Sequence, residues 1–138
     1  MEVKTTSIEL SSRQLDELAK LANDSLPNES CAFLLGRGKN DVVDVDEILQ
    51  MNNADRSMIS FSIEPQELLH AYDLAEKKKL QIIGIFHSHP AKPVPSSIDS
   101  RYMEINPVTW VIYSTSTGEF KAYIYDDRVR GIAIEVKE

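Results

Sequence analysis

Residues 81–90 read Gln81-Ile82-Ile83-Gly84-Ile85-Phe86-His87-Ser88-His89-Pro90. The run up to Phe86 is nearly all apolar, as expected of a central strand covered on both faces. It delivers His87 at its C-terminal end. Side chains of an extended chain repeat every second residue, so His87 and His89 point the same way. A proline-rich loop follows over residues 90–96, and a short helical turn beginning near Ser97 carries Asp99 and Met103.

Outward from this stretch, strands and helices mix without strict alternation. Ser11 followed by Gln14 reads as a capping box opening a helix over residues 11–23, with Leu15, Leu18, Ala19 and Ala22 on one stripe. Leu26-Pro27-Asn28 breaks it, and residues 29–35 form an apolar extended run ended by Gly36-Arg37-Gly38. Residues 41–49 alternate, with Val43, Val45 and Ile48 inward, and residues 58–63 alternate again. Glu64-Pro65 places proline in the first turn of a second helix reaching residue 79, where Leu68, Leu69, Tyr72 and Ala75 share a face. Residues 108–113, 119–125 and 131–136 complete the strand set, with Thr117-Gly118 as a turn signal. The pattern predicts one α/β domain over residues 1–138, a sandwich with a mixed, partly curved sheet flanked by helices.

Composition narrows the function classes. Hydrophobic residues make up 42% and charged residues 27% of 138, the balance of a soluble globular chain. No apolar run approaches the roughly 20 residues that span a bilayer, and the first ten residues lack the apolar stretch of a signal peptide. A net charge of −7 disfavours nucleic acid as a partner, since counterion release needs a basic surface. The basic run Lys77-Lys78-Lys79 falls at a helix end, where it complements the dipole. Cys31 is the one cysteine, so no intrachain disulfide forms and a reducing, cytoplasmic location is expected.

The chemistry sits at His87, His89 and Asp99. Two neutral imidazoles and one carboxylate make a three-ligand zinc set that leaves the fourth tetrahedral position open, the mark of a catalytic site. Asp99 lies ten residues past His89, across a loop stiffened by Pro90, Pro93 and Pro95. Such a loop can fold back at little entropic cost. A lone histidine is usually a hydrogen-bonded structural residue. Two of them closing a buried strand, with Ser-x-x-Asp downstream, favour metal instead. His70 has no evident ligand partner and reads as structural, and Cys31 reads as a buried small hydrophobe. Ser88 reads as packing and hydrogen-bonding locally, because no oriented base remains to activate it once both histidines hold metal.

Glu29, then His87-Ser88-His89-Pro90, then Ser96-Ser97-Ile98-Asp99 resembles the signature of the JAMM (MPN+) metalloproteases, in order and spacing over nearly the whole chain. One departure is the six-residue gap from Pro90 to Pro95 between His89 and Ser96, one fewer than is usual in that family, which a shortened loop explains. The resemblance implies an MPN, cytidine-deaminase-like fold and one zinc ion per chain held by His87, His89 and Asp99. It implies Glu29 as the general base, taking a proton from water and passing it to the leaving amine. Ser96 becomes the hydroxyl that stabilises the oxyanion, against its plainer reading as a loop or helix cap.

The implied reaction is cleavage of an isopeptide bond between the diglycine tail of a ubiquitin-like protein and lysine. The bare catalytic domain resembles the compact archaeal and bacterial members, among them archaeal enzymes that remove small ubiquitin-like modifiers (SAMPs). A monomer or weak homodimer is expected, with modifier conjugates as partners and neither nucleic acid nor membrane. A diglycine tail suits a strand edge, for which residues 51–61 are the candidate. Two alternatives are processing of a sulfur-carrier protein's tail by the same residues and a non-catalytic MPN scaffold. A purely structural zinc site would not need Glu29.

Overall fold

The computed structural model describes residues 4–51 and 64–138. The strand expected over 58–63, and all of the candidate edge beyond Met51, lie outside the described residues.

The chain begins with β1 (Ser7–Ser11), α1 (Ser12–Ser25), β2 (Cys31–Lys39), β3 (Val42–Met51) and α2 (Pro65–Lys77). It continues with β4 (Gln81–His89), α3 (Ser97–Ile105), β5 (Thr109–Ser114), β6 (Phe120–Tyr125) and β7 (Val129–Lys137). The strands are ordered β1-β3-β2-β4-β5-β6-β7, and β7 pairs back onto β1, so the curved sheet closes on itself. It is mixed: β1 runs parallel to β3 and β7, and β4 parallel to β5, while the remaining pairs are antiparallel. The mixed, curved α/β sheet expected from the sequence is the observed architecture.

Local chemistry explains the helices. Ser11 caps α1 through its hydroxyl, which accepts from Gln14 N at 3.0 Å, while the Gln14 amide oxygen accepts from Ser11 N at 2.9 Å. Leu18 and Ala22 then bury one stripe. In α2, Pro65 occupies the first turn, where its missing N–H costs nothing, and Ala71 and Ala75 face the sheet.

Two apolar clusters cover the two faces of the sheet. Ile8, Leu10, Leu34, Phe86, Val111 and Ala122 pack with Leu18 and Ala22 of α1. Cys31, Phe33, Ile85 and Trp110 pack with Ala71 and Ala75 of α2 and Met103 of α3. Each fully buried large side chain here contributes about 1.5–3 kcal/mol relative to exposure. The Trp110 indole N–H is satisfied by the Asn106 carbonyl at 3.1 Å.

The fold departs from the sequence reading in α2, where Leu69 and Tyr72 are exposed while Ala71 and Ala75 face the core, and at two strands. β2 does not end at Gly36-Arg37-Gly38 but passes through them to Lys39 with a register shift at Leu35/Gly36. Gly36 allows this because a Cβ there would lie 1.8 Å from the Asp44 carbonyl oxygen. The second strand is β1, whose alternation buries Ile8 and Leu10 and whose partners lie far along the chain.

Candidate active site

Antiparallel pairing of β2 with β4 sets Cys31 opposite His87, so the chain just before β2 runs alongside the histidine strand. Glu29, His87 and His89 thereby come onto the face covered by α2 and α3. The capping box of α3 brings Asp99 to them: Ser96 N donates to Asp99 Oδ2 at 2.9 Å, and Asp99 N donates to Ser96 Oγ at 3.1 Å. A motif read for chemistry is thus also a helix start, and the one device fixes the serine and the carboxylate together.

All four titratable groups are buried. His87 Nε2 lies 3.1 Å from Glu29 Oε1 and 3.2 Å from Asp99 Oδ1, and His89 Nε2 lies 3.9 Å from Asp99 Oδ2. The two imidazoles stand edge to face with centroids 5.4 Å apart. One ligand atom each from His87, His89 and Asp99 falls within 4.8 Å of the others. Tetrahedral zinc with ligands at about 2.1 Å requires separations of roughly 3.4 Å, which these distances bracket. His89 Nε2 is buried with no hydrogen-bond partner among the described residues, a costly arrangement unless a cation takes the lone pair. The donor set therefore fits zinc.

The electrostatics separate the two carboxylates. Burial pushes Glu29 up to about 7, against the pull of His87 and with the repulsion of Asp99. Burial also opposes ionisation of Asp99, but the hydrogen bond and charge of His87, with the Ser96 contacts, hold it below the usual range. Burial and the neighbouring His87 lower His89, keeping it neutral as a ligand must be. Two carboxyls in one site with opposed tendencies are suited to different tasks, one staying ionised and the other exchanging protons near neutrality.

A cleft lined by Glu29, His89, Pro90, Ala91, Lys92, Val94 and Ser96 opens beside the cluster. Its proline loop is tied down by Tyr123, whose hydroxyl donates to the Pro93 carbonyl at 2.7 Å, and by Ser116, which donates to that of Pro90. A larger depression between Lys4, Val43, Thr109 and Asp126 lies elsewhere and gathers none of these groups. The Tyr123 and Ser116 anchors carry no local sequence signal, because they join residues 30 and 26 positions apart.

Cys31 lies beneath the site, fully buried, its thiol pushed up to about 12 by burial and by Glu67 and Glu29. It is no nucleophile, since the reactive form is the thiolate. The folded chain is expected to resist iodoacetamide at mildly alkaline pH for as long as it takes to label the urea-unfolded chain fully, read by intact mass. Labelling of the folded chain at the unfolded rate contradicts this. His70 lies on α2, apart from the His87, His89 and Asp99 cluster.

Comparison with known proteins agrees with this geometry. Residues 11–125 match the family model described as prokaryotic homologs of the JAB domain. A desampylase of Pyrococcus furiosus is 40% identical over 101 residues, covering 72% of this chain and 69% of the relative. A solution structure of a Desulfitobacterium hafniense protein superposes with a TM-score of 0.86 at 34% identity, covering 95% of this chain and 93% of that one. Among the described residues, no helix is long and apolar enough to cross a membrane. The chain belongs to the prokaryotic homologues of the JAB domain, a family of metalloprotease type.

Proposed function

We propose that the chain is a zinc-dependent isopeptidase that releases a ubiquitin-like modifier of the SAMP type from lysine side chains of target proteins. The observation that carries this reading is the convergence of His87, His89 and Asp99 beside the buried carboxyl of Glu29. The desampylase relative supports the substrate class, and the family supports the metal.

His87, His89 and Asp99 would hold the zinc, which when bound would supply Lewis-acid polarisation of the scissile carbonyl and a lowered pKa for water. The rest is the work of this chain's side chains. Glu29 accepts the proton of the attacking water and hands it to the departing lysine amine as the C–N bond breaks, leaving a glycine carboxylate. A carboxyl held near 7 can perform both transfers close to neutral pH. Ser96 accepts from Asp99 N, which leaves its own O–H to donate to the oxyanion that develops on the carbonyl. Pro90, Ala91 and Val94 form an exposed, largely apolar wall of the cleft, placed to cover one side of the scissile bond when substrate binds.

The Ser96 role has its own test. Ser96→Ala is expected to lower kcat by roughly 10²–10³-fold, the loss typical of one oxyanion donor. Zinc is retained, because the group that anchors Asp99 Oδ2 is the Ser96 backbone N–H, which survives the substitution. Loss of the cap costs about 0.5–2 kcal/mol in stability. A wild-type kcat in Ser96→Ala leaves Ser96 as a helix cap alone.

The proposal as a whole is tested with a ubiquitin-like protein joined through a C-terminal diglycine to a lysine ε-amine. Mass spectrometry of the products should show the intact modifier with a free carboxylate and an unmodified lysine. If zinc-loaded chain leaves that conjugate intact but trims a linear extension after the diglycine, the substrate is a carrier-protein tail and the isopeptidase reading fails.

A further inference from the structure

Beyond these groups, we propose that Ser88, the residue between the two histidines, is a positioning residue for the Glu29 carboxylate. This rests on reading Glu29 as the proton carrier. Ser30 and Ser88 are both buried, and their hydroxyl oxygens lie 2.7 Å apart. Ser88 N donates to the Ser30 carbonyl at 3.0 Å, while Ser30 N donates to Ser88 Oγ, also at 3.0 Å.

The second of these bonds is the unusual one. An antiparallel pair carries two reciprocal backbone bonds between facing residues. Here the Ser88 side chain takes the place that its own carbonyl would fill. The ladder between β2 and β4 ends at Cys31 opposite His87, and the serine pair extends it by one residue through a hydroxyl. That extra position fixes the registry of the next residue out, Glu29.

Alternation makes this registry matter. Ser30 and Ser88 meet on one face of the sheet, so Glu29, His87 and His89 share the other. A slip of one residue would turn Glu29 away from the metal ligands altogether. Glu29 immediately precedes β2, so the bonds at Ser30 set the course of the peptide that joins it to the sheet, beside its own 3.1 Å contact with His87 Nε2. The hydroxyl of Ser88 touches neither substrate nor metal ligands in this role and acts through the peptide unit that joins Glu29 to Ser30. Without it the Ser30 N–H is left buried and unpaired, and the chain relaxes to reach another acceptor, carrying the carboxylate with it.

The experiment compares wild type, Ser88→Ala and Ser88→Thr as zinc-loaded proteins on the diglycine-lysine conjugate. It measures kcat, KM, zinc per chain and exchange of the Ser30 amide proton. Ser88→Ala is expected to lose roughly tenfold to hundredfold in kcat, as a misplacement of about 1 Å does, with zinc content unchanged. KM should stay within about twofold, since no substrate contact is lost. The Ser30 amide should lose protection in Ser88→Ala alone, and Ser88→Thr, which keeps the hydroxyl, should recover both kcat and protection. Wild-type kcat in Ser88→Ala overturns the proposal, as does loss of zinc, which would make Ser88 a support of the ligands instead. Equal damage in the Thr variant also overturns it, because packing rather than the hydroxyl would then be at stake. If wild type leaves the conjugate intact, the isopeptidase reading falls and takes Ser88's catalytic purpose with it. A fast-exchanging Ser30 amide in an active wild type sinks the clamp alone.

Discussion

Glu29→Gln is expected to lower kcat for conjugate cleavage by roughly 10²–10⁴-fold while the chain keeps its zinc. The amide has the shape of the carboxylate, so packing at the end of the loop before β2 is preserved. What it lacks is a basic oxygen that can accept a proton and return it. Because the loss falls on the chemical step, KM should change little. Burial opposes the ionised form of Glu29 and pushes it up to about 7. The zinc-free Gln variant should therefore be at least as stable as zinc-free wild type above neutral pH, where wild type carries a buried charge. If Glu29→Gln loses its zinc, the carboxylate is a ligand and not a proton carrier. If it keeps wild-type kcat, the proton path lies elsewhere.

His87→Ala and Asp99→Asn are expected to abolish both stoichiometric zinc and cleavage. The ligand atoms stand within 4.8 Å of one another; His87→Ala deletes one of the three, and Asp99→Asn replaces an anionic oxygen by a neutral amide that binds zinc poorly. A thermal readout separates this from misfolding. Zinc at about a hundred times its Kd stabilises the native chain by about 2.7 kcal/mol. For a domain of this size that is a rise in Tm on the order of 10 °C. Wild type should show the rise and lose it on chelation, whereas both variants should melt at one temperature with or without zinc. Asp99→Asn keeps an acceptor for Ser96 N, so its α3 cap survives and only the charge at the metal is removed. A zinc-dependent rise in either variant means that another group completes the site.

Much of this site was readable before any coordinates, and the reason is locality. His87 and His89 share a face because of strand alternation alone, and Asp99 returns to them because Ser96-x-x-Asp99 is itself a helix start. Glu29 is different. Its place beside His87 depends on β2 pairing with β4 across more than fifty residues, and only the likeness to a known family pointed to it. Ser88 reads from the sequence as hydrogen-bonding locally, but its partner is Ser30, 58 residues away, which only the pairing of β2 with β4 brings near. The same limit explains β1. Its parallel pairing with β3 and β7 and the closure of the sheet are long-range facts. β2 outruns its sequence pattern for a local reason, since Gly36-Arg37-Gly38 looks like a turn and is instead a strand in which glycine admits the Asp44 carbonyl.

One zinc ion on His87, His89 and Asp99 is expected to switch on isopeptide hydrolysis. The most direct test is the rate of diglycine-lysine cleavage as zinc is titrated into chelator-stripped wild-type chain. The rate should climb from background and level off at one zinc per chain. Full cleavage by the stripped chain would remove zinc from the reaction, and a chain that holds one zinc yet leaves the conjugate intact would not be an isopeptidase.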